Sequence, residues 1–137
     1  RYGGCSAERV CGGHGLLDTY GRLCQADGVA PGGVASPAGV SEAALQAGHP
    51  QALEALHIFC AMLGSVAGNL ALTLGARGGV YVGGGIVPRL GTWFDGSPFR
   101  ERFETKGRFQ PYLSALPVWV ITSAQSPALM GAARALG

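Results

Sequence analysis

Apolar residues recur at helical spacing in the early part of the chain. Five of them fall on one face of the segment LLDTYGRLCQA when it is drawn with the period of a helix. They are Leu16, Leu17, Tyr20, Leu23 and Cys24. The pattern predicts a helix with one buried face. The stretch 27–40 is rich in Gly, Pro and Ala and predicts a surface loop, after which Ser41 is placed to cap a short helix that Gly48 ends.

The stretch from residue 50 to 75 predicts the longest helix, and its second half carries no charge over seventeen residues. A transmembrane helix needs roughly 20 such residues. Ser65, Asn69 and Thr73 recur every four residues and form a polar stripe. Small residues form a second stripe, which would let another element approach closely. They are Ala61, Gly64, Gly68, Ala71 and Gly75. We therefore expect a central buried helix of a soluble domain, with no membrane partner.

Three short segments predict strands separated by helices. They are CSAERVC, GGVYVGG and LPVWVITS. The last two are continuously apolar at their centres, which is typical of buried parallel strands. Pro88 and the Ser-Pro pairs at 97–98 and 126–127 are placed to begin helices. The order of strands and helices predicts an α/β fold with a small, mostly parallel sheet flanked by helices, and the length predicts a single domain over residues 1–137.

Charge and cysteine content argue against several classes of function. Charged residues make up 13% of the chain, and the net charge of +2 is not gathered into a basic stripe, so no nucleic-acid partner is expected. Cys11 and His14 form a C-x2-H pair that Cys5 and Cys24 could complete as a metal site. Reduced, buried thiols of a cytoplasmic protein fit the spacing better, and we predict no metal ligands in this chain.

The stretch RGGVYVGGGIVPRL places three glycines at the end of a predicted strand. A glycine-rich turn between a strand and a helix can bring backbone N–H groups close to a nucleotide. The motif GxxxxGK[ST] is absent, because no Ser or Thr follows Lys106, and GxGxxG fails because Pro88 stands where its third glycine would be. From the residues alone, ligand binding and tight packing of a helix on the strand remain equal alternatives.

Three stretches together resemble the C-terminal part of bacterial-type glucokinases. They are CSAERVCGGHGLLDTY, HIFCAMLGSVAGNLALTLGARGGVYVGGGIVPRL and GSPFRERFETKGRFQPYLSALPVWVITSAQSPALMGAA. The resemblance implies the hexokinase and actin-like ATPase fold, with this chain as part of the large ribonuclease H-like lobe. It also implies a cytoplasmic, homodimeric kinase that uses Mg2+ and transfers the γ-phosphate of ATP to the 6-hydroxyl of glucose.

The same resemblance implies roles for individual residues. The residues Gly83, Gly84, Gly85 and Ile86 match the adenosine motif of the family, in which the turn packs against the nucleoside. Glu8 matches a glutamate that binds glucose hydroxyls, and a carboxylate suits this role because it can accept hydrogen bonds from two neighbouring hydroxyls. The turn at 12–15 reads Gly-Gly-His-Gly, where the family commonly has Ser-Gly-Pro-Gly.

Several catalytic motifs of that family do not occur in these 137 residues. The Asp-x-Gly-Gly-Thr and Gly-Thr-Gly phosphate motifs and the Asn-Asp pair are absent, and none of Asp18, Asp27 and Asp95 is placed as the base. We expect residues 1–137 to be the C-terminal portion of the large domain, with no catalytic residue and no activity in isolation. A non-catalytic sugar- or nucleotide-sensing module and an oligomerisation module that packs through the helix 61–75 are the alternatives.

Overall fold

The computed structural model describes residues 6–137 as a helix-rich α/β fold with one parallel pair of strands. The pair places Val80 opposite Val118. The α/β prediction is confirmed, with two strands in the described residues where the sequence predicted three. In chain order the elements are α1 (Ala7–Val10), α2 (Gly13–Ala26), α3 (Pro37–Leu45), α4 (Pro50–Leu74), β1 (Val80–Val82), α5 (Val87–Leu90), a 3-10 helix (Gly91–Gly96), α6 (Phe99–Glu104), a 3-10 helix (Gly107–Phe109), α7 (Gln110–Ser114), β2 (Val118–Val120) and α8 (Pro127–Ala135).

Helix α4 is the central element, and α2, α3 and α6 pack around it. It is the one helix in the described chain that is long and apolar enough to cross a membrane. Its buried face is covered by the neighbouring helices, which is the arrangement of a core helix. Gly75 ends α4 with φ of 60°, a left-handed conformation that favours glycine. The predicted central helix is therefore confirmed, but it is buried on one face only, because Leu70 and Leu74 are 55% and 72% exposed.

Glycines on α4 let α6 approach it closely. A Cβ at Gly64 would lie 3.0 Å from the carbonyl carbon of Phe99 and closer still to its oxygen. A Cβ at Gly68 would lie 2.5 Å from the carbonyl oxygen of Phe103. Phe99 and Phe103 are both buried. The predicted stripe of small residues is thus a packing surface between two helices of the same chain, and the α4 glycines are not free to pack against a second copy.

Helix α2 has the buried face that its spacing predicts, with Leu16, Tyr20 and Cys24 each 1% exposed. The loop predicted over residues 27–40 ends earlier than expected, because α3 begins at Pro37. Ser36 caps α3, and its Oγ accepts a hydrogen bond from the backbone N–H of Gly39 at 3.0 Å. Ser41 therefore lies inside the helix and is not its cap. The pair Ser36-Pro37 is itself a helix-start signal, and the sequence prediction, which placed the cap at Ser41, did not use it.

The segment CSAERVC is not a strand where the structure describes it. Ala7–Val10 form the short helix α1, and the Oγ of Ser6 accepts a hydrogen bond from the backbone N–H of Arg9 at 3.3 Å. Cys5 lies outside the described residues. A serine cap with an acidic residue in the first turn favours a helix, and four residues are too few for apolar alternation to outweigh that signal. Glu8 therefore lies on a helical turn rather than at a strand end.

Residues 6–137 cover the two-stranded sheet on one face only. Val82 is buried, whereas Tyr81 and Trp119 are 68% and 43% exposed. Their rings stack on each other with centroids 4.9 Å apart on the open face. The prediction of buried strands therefore holds for one face and is wrong for the other. A run of apolar residues shows that a strand can be buried on both sides, but not that a partner within the chain covers both.

Candidate functional site

The turn after β1 carries the three consecutive glycines, and it is open. A Cβ at Gly84 or at Gly85 would meet no atom within 4 Å, and one at Gly83 would make an ordinary contact with Ile121 at 3.5 Å. Gly79, before the strand, differs: a Cβ there would lie 2.5 Å from the ring of Trp119. Close packing thus explains the glycine before β1. Among the described residues, it does not explain the glycines after the strand.

The turn forms one wall of a cleft with a volume of about 460 Å³, here called the glycine cleft. The first turn of α3 lines it at Ser36, Pro37 and Ala38, and Phe59 and Leu63 of α4 contribute apolar side chains. Its remaining lining residues are Cys11, Gly12, Gly13, Ser41, Gly83, Gly84, Gly85, Ile86, Val87 and Arg89. The cleft therefore brings α2, α3 and α4 to the end of β1 and the start of α5, although these three helices are far from the strand end in the sequence.

The side chains of the glycine cleft are mostly apolar. Arg89 is the one permanently charged residue in its lining, and it is exposed. Cys11 is half-buried, and burial raises the pKa of its thiol, so the thiol stays neutral at physiological pH. Ile86 is half-buried beside the glycines. The lining suits a flat, partly apolar ligand with one group that can interact with a cation.

Glu8 lies in a neighbouring cleft with a volume of about 600 Å³, here called the Glu8 cleft. Glu8 is exposed on α1. Gly12 and Gly13 line both this cleft and the glycine cleft. The other lining residues are Ser6, Arg9, His14, Gly15 and Asp18. The two groups of candidate site residues, separated by about 75 positions in the sequence, therefore lie along one continuous surface.

A third cleft, of about 590 Å³, lies on the other side of the glycine turn. Its wall is the segment that leaves β2 and enters α8, with Ser123, Gln125 and Ser126 as its polar residues. The glycine turn therefore separates two clefts, and a ligand on either side can reach its backbone.

Comparison with known proteins assigns the chain to a family. The family model described as "Glucokinase" matches residues 1–137. The chain belongs to the glucokinase family. A glucokinase of Chromobacterium violaceum is 57% identical over 133 residues, which are 97% of this chain and 38% of that protein. A glucokinase of Neisseria meningitidis is 52% identical over 136 residues, which are 99% of this chain and 41% of that protein.

A solved glucokinase has the same fold. The crystal structure of a glucokinase from an Antarctic psychrotroph matches with a TM-score of 0.78 and 35% identity, over 94% of this chain and 39% of that one. The prediction of an actin-like ATPase lobe is confirmed by this likeness. The chain spans about two fifths of the length of these glucokinases.

Several residues of the two clefts were not predicted as site residues. His14 and Asp18 are one helical turn apart on α2, and this spacing is a signal that could have grouped them. No sequence signal indicated that Ser36, Pro37 and Ala38 would line the glycine cleft, because their position there depends on how α2 and α3 pack. A Cβ at Gly13 would lie 2.9 Å from Cγ of Pro37, so the start of α2 fits directly against the start of α3.

No group of three or more His, Cys, Asp or Glu residues is placed to hold a metal ion within residues 6–137. Cys24, considered above as a ligand beside Cys11 and His14, is buried in the core. The carboxylates near the clefts, Glu8 and Asp18, do not form such a group with a third residue in this part of the chain.

Proposed function

We propose that this chain is part of a glucokinase that transfers a phosphoryl group from ATP to the 6-hydroxyl of glucose. Glu8 would bind the sugar, and Gly83, Gly84, Gly85 and Ile86 would bind the nucleoside. The observation that carries the proposal is that the glycine cleft and the Glu8 cleft share their lining at residues 12–13. Phosphoryl transfer requires donor and acceptor to be held side by side, and two adjoining clefts meet that requirement.

The glycine cleft is suited to a nucleoside. The open backbone of Gly84 and Gly85 leaves room for a base and a ribose to lie against the turn. The first turn of α3 faces the turn across the cleft. Arg89 lies in the same lining and can stack on a purine or pair with a phosphate, because a guanidinium does both. The nucleotide would therefore be held mainly by shape and by backbone groups.

The Glu8 cleft is suited to a sugar. The Glu8 carboxylate is exposed and can accept hydrogen bonds from two adjacent hydroxyls. His14 and Asp18 add further polar side chains to the lining. A polar cleft lined by two carboxylates, Glu8 and Asp18, and one guanidinium, Arg9, fits a neutral polyhydroxyl ligand better than an anionic one.

The catalytic base and the Mg2+ ligands are assigned to the part of the glucokinase outside these 137 residues. Asp27 accepts a hydrogen bond from Nε2 of Gln51 at 2.9 Å and lines neither the glycine cleft nor the Glu8 cleft. Asp95 is exposed on a 3-10 helix and also lies outside both linings. Asp18 lines the Glu8 cleft but not the glycine cleft, so it is part of the proposed sugar wall and does not stand where the two clefts meet.

The isolated 137-residue chain should be inactive as a kinase. Without the base and the metal ligands, the bound groups cannot be activated for transfer. Glucose 6-phosphate formation from ATP, Mg2+ and glucose should equal the enzyme-free blank, while the full-length protein is active in the same assay. Turnover by the isolated chain would show that the base lies within it.

Replacing Gly85 by Ala should raise KM for ATP about tenfold in the full-length protein. The added methyl meets no atom of this chain within 4 Å, so the free energy of unfolding should change by less than about 0.5 kcal/mol. It would, however, occupy space against which the nucleoside lies. Steady-state kinetics with ATP and glucose varied separately, together with thermal unfolding, measure both effects.

Gly78→Ala is the matched control, because a Cβ there also meets nothing within 4 Å but lies at the opposite end of β1. It should leave both KM values unchanged. Gly84 is a poorer probe, since its φ of 114° strains any side chain regardless of ligand. An unchanged KM for ATP in Gly85→Ala would show that the nucleoside does not lie against this turn.

A sensing module that binds ligands without turnover is the second candidate function, since it would keep the same two clefts. Binding of ATP and glucose to the full-length protein without any glucose 6-phosphate would favour it. We do not favour an oligomerisation module, because the small-residue surface of α4 that it would use is already covered by α6 at Gly64 and Gly68.

A further inference from the structure

We propose that Gly15 is a positioning residue that holds Glu8 in place for the sugar. The inference rests on the sugar-binding role of Glu8 proposed above. Gly15 is not itself required to touch the substrate. Its missing side chain lets α1, which carries Glu8, lie directly against the first turn of α2.

The contact between the two helices leaves no space for a side chain. A Cβ at Gly15 would lie 2.6 Å from the carbonyl oxygen of Val10 and closer still to that of Arg9. Contacts of real Cβ atoms below 3.0 Å are essentially not observed. A Cβ at Gly12 would lie 3.0 Å from the carbonyl oxygen of Glu8 itself. The carbonyl groups of three successive α1 residues therefore face glycines at the start of α2.

If a methyl group were added at Gly15, α1 would move rather than α2. Leu16, the next residue, is 1% exposed, and Tyr20 and Cys24 anchor the same helix in the core. No residue of α1 is buried. The anchored helix therefore keeps its place, and the short exposed one is displaced by a distance on the order of 1 Å.

Displacing α1 moves the Glu8 carboxylate away from the sugar. A misplacement on the order of 1 Å can cost up to about 10²-fold in rate when it affects a group that orients the substrate. Gly15 lines the Glu8 cleft but not the glycine cleft. Gly15→Ala should therefore raise KM for glucose at least tenfold and lower kcat, while KM for ATP changes less than about twofold.

A double-mutant cycle in the full-length protein tests whether Gly15 acts through Glu8. The variants are Gly15→Ala, Glu8→Gln and the pair together, with Gly21→Ala as the matched control. Gly21 lies on the same helix, and a Cβ there meets nothing within 4 Å. The Gly21→Ala control should have the same KM values for ATP and for glucose as the wild-type protein. In the Glu8→Gln background, Gly15→Ala should raise KM for glucose less than about twofold, because residues that act as one unit are not additive.

Each outcome decides between the two proposals. If Glu8→Gln leaves KM for glucose unchanged, the sugar-binding role of Glu8 is wrong. If Glu8→Gln raises KM but Gly15→Ala does not, or if the Gly15→Ala effect is the same with and without the Glu8 carboxylate, the positioning role is wrong.

Gly12→Ala is a second, milder variant that tests the same proposal if Gly15→Ala does not fold. Its Cβ needs a shift of only a few tenths of an ångström in the Glu8 carbonyl. It should raise KM for glucose a few-fold, and an unchanged value would overturn the proposal.

Discussion

Replacing Glu8 by Gln is expected to lower kcat/KM for glucose about 10²-fold. The carboxylate accepts hydrogen bonds from two sugar hydroxyls in the proposed complex, and hydrogen bonds to a charged group contribute about 1.5–3 kcal/mol each. An amide keeps the shape of the side chain but loses the charge and presents a donor in place of one acceptor. KM for ATP should change little, because Glu8 does not line the glycine cleft.

The same variant should leave the melting temperature of the full-length protein unchanged. Glu8 is exposed, and substitutions of exposed side chains usually change the free energy of unfolding by less than about 0.5 kcal/mol. Glu54→Gln, on the exposed face of α4 and outside the lining of both clefts, is the matched control and should keep wild-type kinetics. A Glu8→Gln protein with a normal KM for glucose would place the sugar elsewhere.

Replacing Gly64 by Ala is expected to lower the free energy of unfolding by about 3 kcal/mol, the upper part of the range for overpacked cores. The added methyl collides with the backbone of Phe99, which cannot rotate away as a flexible side chain could. Phe99 and Phe103 also stack on each other in the core, so displacing α6 disturbs their packing. Urea unfolding followed by circular dichroism measures the loss.

Gly21→Ala provides the contrast for this stability measurement. It makes the same chemical change within a helix, but in open space, and should stabilise α2 by up to about 1 kcal/mol through helix propensity. If Gly64→Ala were as stable as Gly21→Ala, α6 would not lie against α4 as closely as the structure shows.

Local patterns in the sequence predicted the two principal helices correctly. The apolar face of α2 and the extent of α4 follow from spacing that repeats every three to four residues. Gly75 marks the end of α4, and Ser126 with Pro127 marks the start of α8. Such signals act over a few neighbouring residues, so they need no knowledge of the remainder of the fold.

The predictions that failed concern short segments. Four residues around Glu8 form a helical turn where a strand was expected, and α3 begins at Pro37 rather than after Ser41. In both cases a serine cap outweighed a weak pattern. The exposed stacking of Tyr81 on Trp119 shows a further limit, because which face of a strand is covered depends on the elements that pack there.

The sequence by itself determined the family and the identity of the candidate residues Glu8 and Gly83 to Ile86, because these depend on motifs within short stretches. Only the tertiary structure decided what each glycine does. Gly64 and Gly15 lie against backbone, whereas Gly84 and Gly85 face open space. It also decided that both candidate sites share their lining at residues 12–13. These facts are distances between residues far apart in the chain, and composition and spacing do not encode them.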